Sequence, residues 1–461
     1  MYTSYIGQRL LAIYTQRTGR SLTARQFFEQ QLYPLFFEPA KYLQWVPNSP
    51  FAQAVAKADV VPGGPTAAEV RLGKLHRNIE TVAPDASFVI GFPAAGVEGT
   101  TSGQVSGVGP VVGSDEIYCS WIGGALGVGV SGGLSLLLDE DDVLWTLYEG
   151  WAHYRQFLDE RPGLKGNQID TWNGQWLTYT FGEDFKPAHP ADGLPGFKQS
   201  ETAGVTSLDT VEWAQGLFAL AERFGRDLTA YVYGFGKSNR TIGFVPLRLA
   251  KISRMWELED SLFVLSDTLK SEGRSQLLKR YATQYSFAYA CQQGAIGVAA
   301  LKPEKIQDYI GENQKSEKSL LTSTGKPAIH FAFYQIWIIA MLDRPGILEA
   351  ADQLAHTLLD FAQANKRATK ENAKAVQTLW KAKGRKAFVE ALIDILGKSR
   401  ELRKDDWPME KSQHLLAQLE AAVAHAHALP FDQVPYFVTL THFRYLATSL
   451  KLTAETPEPV N

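Results

Sequence analysis

Thirteen of the 39 glycines in this 461-residue chain fall between Gly91 and Gly133. Glycine loses more conformational freedom on folding than any other residue, so such a concentration needs a structural reason. One reason is a loop whose backbone must lie close to a ligand, a phosphate or a nucleic-acid groove. The other is a mobile surface loop or a glycine hairpin packed too tightly for side chains. Both readings stay open on the residues alone.

Around this stretch the chain reads as α+β: a mixed α/β N-terminal domain with glycine-rich loops, followed by a C-terminal helical bundle. The expected divisions are 1–257 for the mixed domain, 258–345 for a helical connecting region and 346–461 for the bundle. Residues 4–16 place Ile6, Leu10, Leu11 and Tyr14 on one helical face. A second helix starts at Thr23, with Gln26 in the capping-box position, and Pro34 should kink or end it. Residues 45–51 form a proline-punctuated loop, and 52–80 a helix broken at 62–65 that carries Arg71, Lys74, His76 and Arg77. Short strands are expected at 87–92, 117–122 and 134–138. Residues 182–210 are rich in loops, 211–226 form a helix, and strand-like arms flank a polar tip within 231–244. The most apolar run, 331–342, suits a buried helix and is too short for a bilayer.

Composition narrows the class. Apolar residues make up 45% of the chain, as in a globular protein, and the net charge of −3 excludes a uniformly basic nucleic-acid coat. Cys119 and Cys291 are too far apart in sequence to suggest a metal motif and read as reduced core residues. The first residues show no apolar signal segment. A cytoplasmic protein without a membrane segment is expected.

Familiar motifs fail on inspection. Gly127-Val-Gly-Val-Ser-Gly132 has dinucleotide-fingerprint spacing, but a strand follows where a helix must open, and the next helix begins only at Asp139. Gly236-Lys-Ser238 lacks the first glycine of a phosphate loop, because Tyr231 stands there. His425 and His427 diverge on a helix, and no nucleophile elbow or zinc-protease motif occurs. No cofactor is expected. The acidic run Asp139–Asp142 reads as the start of a helix, where carboxylates oppose the macrodipole. Its functional reading is Mg²⁺ binding in a nuclease.

Three features remain that suit nucleic acid. The amide-rich loop 165–174 presents Asn167, Gln168, Thr171 and Asn173 beside Trp172, and amides can read base edges. The tip of 231–244 carries Lys237, Ser238, Asn239 and Arg240. Residues 366–404 hold positive charges over negative ones by about three to one, with Lys370, Lys374, Lys381 and Arg385 at helical spacing. A solvated helix face is the other account of that last patch.

The order of parts resembles the large subunit of type I CRISPR effector complexes (Cascade), on architecture and on loops 96–107, 165–174 and 234–243. That resemblance implies a role without chemistry of its own. The N-terminal loops would recognise a short protospacer-adjacent motif in double-stranded target DNA, and the bundle would hold target or displaced strand. Implied partners are the guide-RNA complex subunits, with a nuclease-helicase or transposition proteins downstream. Two other readings compete: a metal-dependent restriction-type nuclease using Asp139, Glu140 or Asp142, and a scaffold that touches only protein.

Overall fold

The computed structural model describes the chain except residues 57, 58, 61, 62, 93–111, 183, 235–240, 263–286, 293, 304, 305, 311–326, 365–368, 403–406 and 456–461. The chain divides into two compact units. The first comprises Met1–Ala250 and Tyr285–Ile296, the second Lys251–Gln284 and Gly297–Asn461. Residues 258–345, which read from sequence as a connecting region, are shared between them. The class is α+β with many helices.

The first unit begins with α1 (Tyr2–Thr18), which Gly19 ends in the left-handed conformation with φ of 71°. Helix α2 (Ala24–Phe27) has the expected capping box: Thr23 and Gln26 exchange bonds of 3.2 and 2.9 Å between side chain and backbone. It continues through a π-helical turn, Phe28–Leu32, into α3 (Tyr33–Phe36), where Pro34 has no N–H to give. Of the expected 52–80 helix, the described residues show the second half as α4 (Ala67–Thr81), capped by Thr66 and Glu69.

Residues 117–122, strand-like in composition, lie in helix α5 (Ser114–Gly124). Ile117, Tyr118, Cys119, Trp121 and Ile122 are all buried, so the helix shows no polar face for periodicity to register. Nor is 87–92 a strand. The Ile90 N–H donates to Ser120 Oγ, and the Ile90 and Phe88 carbonyls accept from Thr3 and Trp121. Side chains thus take the place of a ladder there.

Strands β1 (Val128–Val130) and β2 (Leu134–Leu138) join the later hairpin β5 (Leu228–Gly234) and β6 (Thr241–Leu247) in one antiparallel sheet, ordered β1-β2-β5-β6. Between them come α6 (Asp141–Asp159) and α7 (Ile169–Thr180), a two-stranded hairpin of β3 (Gln199–Thr202) and β4 (Val205–Leu208), and α8 (Trp213–Phe224). The amide-rich stretch up to 174, expected as a loop, is therefore helical from Ile169 onward. After β6, α9 (Leu249–Leu262) and α10 (Phe287–Gln292) follow.

The glycine concentration has a packing explanation over its described part. A Cβ on Gly123 would stand 1.9 Å from the Thr3 carbonyl oxygen, and one on Gly7 2.0 Å from that of Cys119, so α1 and α5 touch backbone to backbone. Just before β1, a Cβ on Gly127 would meet the Asp170 carboxylate at 2.1 Å, and within it one on Gly129 would meet the Asp170 backbone at 2.8 Å. Gly132 and Gly133 are turn glycines instead, with φ of 100° and 73° between β1 and β2. Buried indoles complete the core by donating to carbonyls: Trp151 to Ala125, Trp172 to Gly150 and Trp176 to Thr146.

The second unit contains α11 (Pro327–Leu342), α12 (Ile347–Ala362), α13 (Thr369–Trp380), α14 (Arg385–Arg400), α15 (Met409–Ala428) and α16 (Val434–Glu455). Helix α12 packs against α15 and α16, and α14 against α13 and α15. Arg444 on α16 bonds Asp352 on α12 and Gln335 on α11, which fixes three helices at one point. Among the described residues no helix is long and apolar enough to cross a membrane.

Candidate nucleic-acid interface

The expected reading residues of 165–174 separate into two groups. Asn167 is exposed and adopts φ of 59°, a left-handed conformation that asparagine tolerates. Its N–H donates to the Tyr42 carbonyl at 2.7 Å, and the Ile169 N–H donates to that of Leu43 at 3.1 Å. Gly166 permits this approach, since a Cβ there would lie 2.7 Å from the Tyr42 oxygen.

The other three turn inward. The Gln168 amide pairs with both backbone groups of Leu208, at 3.0 and 3.2 Å, like a piece of strand. Thr171 is buried. Asn173 is fully enclosed, and its Nδ2 donates to the Ala125 and Gly127 carbonyls at 2.9 Å each. Gln168, Thr171 and Asn173 are thereby corrected to structural residues. Gln168, at the N-cap position of the helix that opens at Ile169, bonds β4, and Asn173 within that helix bonds the segment leading into β1.

Beside Asn173, the half-buried Asp170 has its carboxyl enclosed, and it accepts from Ser135 Oγ at 2.7 Å. Burial pushes it up to about 6, against the hydrogen bonds from Ser135 and Tyr233. The folded state thus holds a proton that the unfolded chain releases near pH 4. Stability contributed by the protonated carboxyl is full below about pH 4 and is lost as pH rises to about 6. The loss amounts to about 3 kcal/mol. Urea melts across this range should show the slope in the wild type and not in Asp170→Asn. Parallel pH profiles would rule it out.

The acidic run is occupied. Glu140 stands at the N-cap position of α6 without a side-chain capping bond, with Asp141 and Asp142 in the first turn. Arg9 bonds Asp139 and Asp141, Arg17 and Arg223 bond Asp142, and Arg226 bonds Glu140. Arg223, then Arg17, holds the Asp142 carboxyl below the usual range. Among the described residues no three His, Cys, Asp or Glu side chains are placed to share a metal ion.

Lys237, Ser238, Asn239 and Arg240 lie outside the described residues. Their flanking strands do form the expected hairpin. In the second unit, Lys370 and Lys374 are exposed on α13, and Lys381 continues their edge just past its end. None of the three has an ion-pair partner among the described residues. Arg385 is different: it donates to the Ala426, His427 and Leu429 carbonyls and so caps the end of α15, which makes it a structural cation.

Sequence reasoning missed a cleft in the first unit, of about 570 Å³, where Asn167 faces α4 across the 38–45 segment. Trp45, Tyr42 and Arg71 also line it. Its walls are held by side-chain donors to backbone carbonyls, with Lys41 Nζ donating to the Leu164 carbonyl at 3.0 Å and Arg155 to that of Lys41 at 2.6 Å. The exposed tryptophan in the proline-punctuated loop and the basic half of α4 were its signals.

No protein-family model, curated protein or solved structure matches this chain.

Proposed function

We propose that this chain is a non-catalytic nucleic-acid-recognition subunit of a type I CRISPR ribonucleoprotein, one that reads target DNA and holds a strand. The observation that carries the reading is the edge formed by Lys370, Lys374 and Lys381, three exposed cations without described partners on a chain of net charge −3. Cations spent on folding are ion-paired or capping, as Arg9 and Arg385 are; a row of exposed cations without described partners suits a polyanion backbone. The order of units adds support, with a mixed α+β unit first and a helical unit second. The nuclease reading has less behind it, because arginines engage each carboxylate of the acidic run.

The partners in this reading are guide-RNA complex subunits and double-stranded target DNA, with a nuclease-helicase or transposition proteins acting afterwards. The test is reconstitution. The full chain, mixed with guide RNA and the subunits encoded beside it, should co-elute with them and tighten binding to a matched duplex. A chain that neither joins the complex nor changes duplex binding would sink the assignment.

A further inference from the structure

We infer that the cleft of the first unit is a pocket for one unstacked nucleotide of a single strand, an inference that rests on the nucleic-acid reading and narrows it. The cleft's volume of about 570 Å³ lies within the range of ligand pockets, roughly 300–1,000 Å³. That is room for a splayed base with its sugar and phosphate, and too little for the body of a duplex.

Its chemistry supplies what such a nucleotide needs. Trp45 is 49% exposed and the one exposed tryptophan among the described residues, while Trp121, Trp151, Trp172 and Trp337 are wholly buried. An indole left at a cleft wall offers a stacking surface that accepts any base. Arg71 spends its Nε on the Gln53 carbonyl at 3.2 Å, and its two terminal nitrogens have no partner among the described residues. Anchored in this way, the guanidinium is ready for a phosphate. Asn167 and Glu38 also line the cleft. An amide and a carboxylate together can both give and accept hydrogen bonds along a base edge.

Near Phe51, which lines the cleft, two hydroxyls are buried. Tyr33 is 7% exposed, its ring 6.3 Å from that of Phe51, and among the described residues neither its hydroxyl nor the Ser49 Oγ has a hydrogen-bond partner. Burial pushes the Tyr33 phenol up to about 12, with the nearby Glu38 and Glu69 carboxylates adding to it and Arg71 opposing. Buried hydroxyls are nearly always satisfied, by protein, by ordered water or by a ligand. Neither residue lines the cleft, so these hydroxyls belong to the packing behind it and not to the surface a nucleotide would touch.

The probe is a fluorescein-labelled ten-nucleotide single strand, offered to the full chain as DNA and as RNA and followed by anisotropy. Trp45→Ala should weaken binding roughly tenfold, and Trp45→Phe should restore most of it, as stacking requires. Arg71→Ala should weaken binding and lower the salt slope by about 0.7. A strand carrying 5-iodouracil should photo-crosslink to Trp45 or Tyr42. Circular dichroism confirms that the variants fold, which the exposure of Trp45 favours.

Wild-type affinity in both Trp45→Ala and Arg71→Ala would overturn the pocket. Adenosine monophosphate binding as tightly as the strand would overturn the single-strand assignment in favour of a free nucleotide. The two levels fail separately. If the lysine edge of the second unit governs DNA binding and Trp45 does not, the pocket falls and the functional reading stands. If Trp45 governs strand binding but the chain joins no guide-RNA complex, the CRISPR reading falls and the pocket stands.

Discussion

Gly123→Ala and Gly7→Ala should each lower the melting temperature of the first unit by roughly 6–12 °C, as expected of about 3 kcal/mol in a domain of this size. The added methyl meets a carbonyl oxygen at 1.9 Å in the first case and 2.0 Å in the second. Both oxygens belong to helix backbone, so no side chain can swing aside, and α1 and α5 must move apart. The consequences spread from there. The Thr3 hydroxyl would lose the Ile90 carbonyl, and Trp121 would shift against Phe28, Phe37 and Phe51, whose rings surround it. Gly216→Ala in α8 and Gly73→Ala in α4 are the matched controls within the same unit, because a Cβ at either meets nothing within 4 Å. Those two should stabilise by about 0.5–1 kcal/mol, as alanine does in a helix. Thermal melts that fail to separate the two pairs would show that the helix crossing is looser than drawn.

Combined reversal of Lys370, Lys374 and Lys381 to glutamate should weaken binding of the reconstituted complex to target duplex on the order of a hundredfold at low salt. The slope of log affinity against log salt should fall by about three, near 0.9 for each phosphate that is no longer neutralised. Replacing the same three by arginine should leave the slope unchanged. Lys398→Glu serves as the comparison, because Lys398 is already paired with Asp394 at 3.3 Å and its charge is partly spent. An affinity that stays flat in the triple variant across salt would reduce the lysine edge to a solvated helix face.

The helices with one polar face were legible from sequence, and so were the caps. Thr23 with Gln26, and the carboxylates opening α6, are local chemistry that no distant contact needs to confirm. The β5–β6 hairpin was legible too. Helix α5 was not, because burial on every side erases the polar stripe that betrays a helix. The 87–92 segment has strand composition without strand pairing, since Ser120, Thr3 and Trp121 bond its backbone from 30 or more residues away.

At the candidate site, residue type was readable and direction was not. Asn167 and Asn173 look alike in sequence. One rides a left-handed turn into a cleft and the other begins a buried bonding pattern, a difference fixed by Ile169 starting a helix. Arg385 resembles Lys381 in sequence, and only the carbonyls at the end of α15, which need a donor, set it apart. The glycines mislead in the same way: the close approach they permit is real, but over the described part the approaching partner is the chain's own backbone.

One connection bears on how the protein is made. The first unit is left at Ala250 and re-entered by Tyr285–Ile296. On re-entry, Ile296 exchanges bonds of 2.7 and 2.9 Å with Arg248 and Pro246, and Phe287 packs its ring 5.6 Å from Trp213. A ribosome delivers the chain from its N-terminus, so the end of β6 waits for its neighbour until residue 296 has emerged. The first unit is therefore finished only after part of the second has been synthesised. A recombinant fragment cut at 250 or 257 would carry that same unfinished edge permanently.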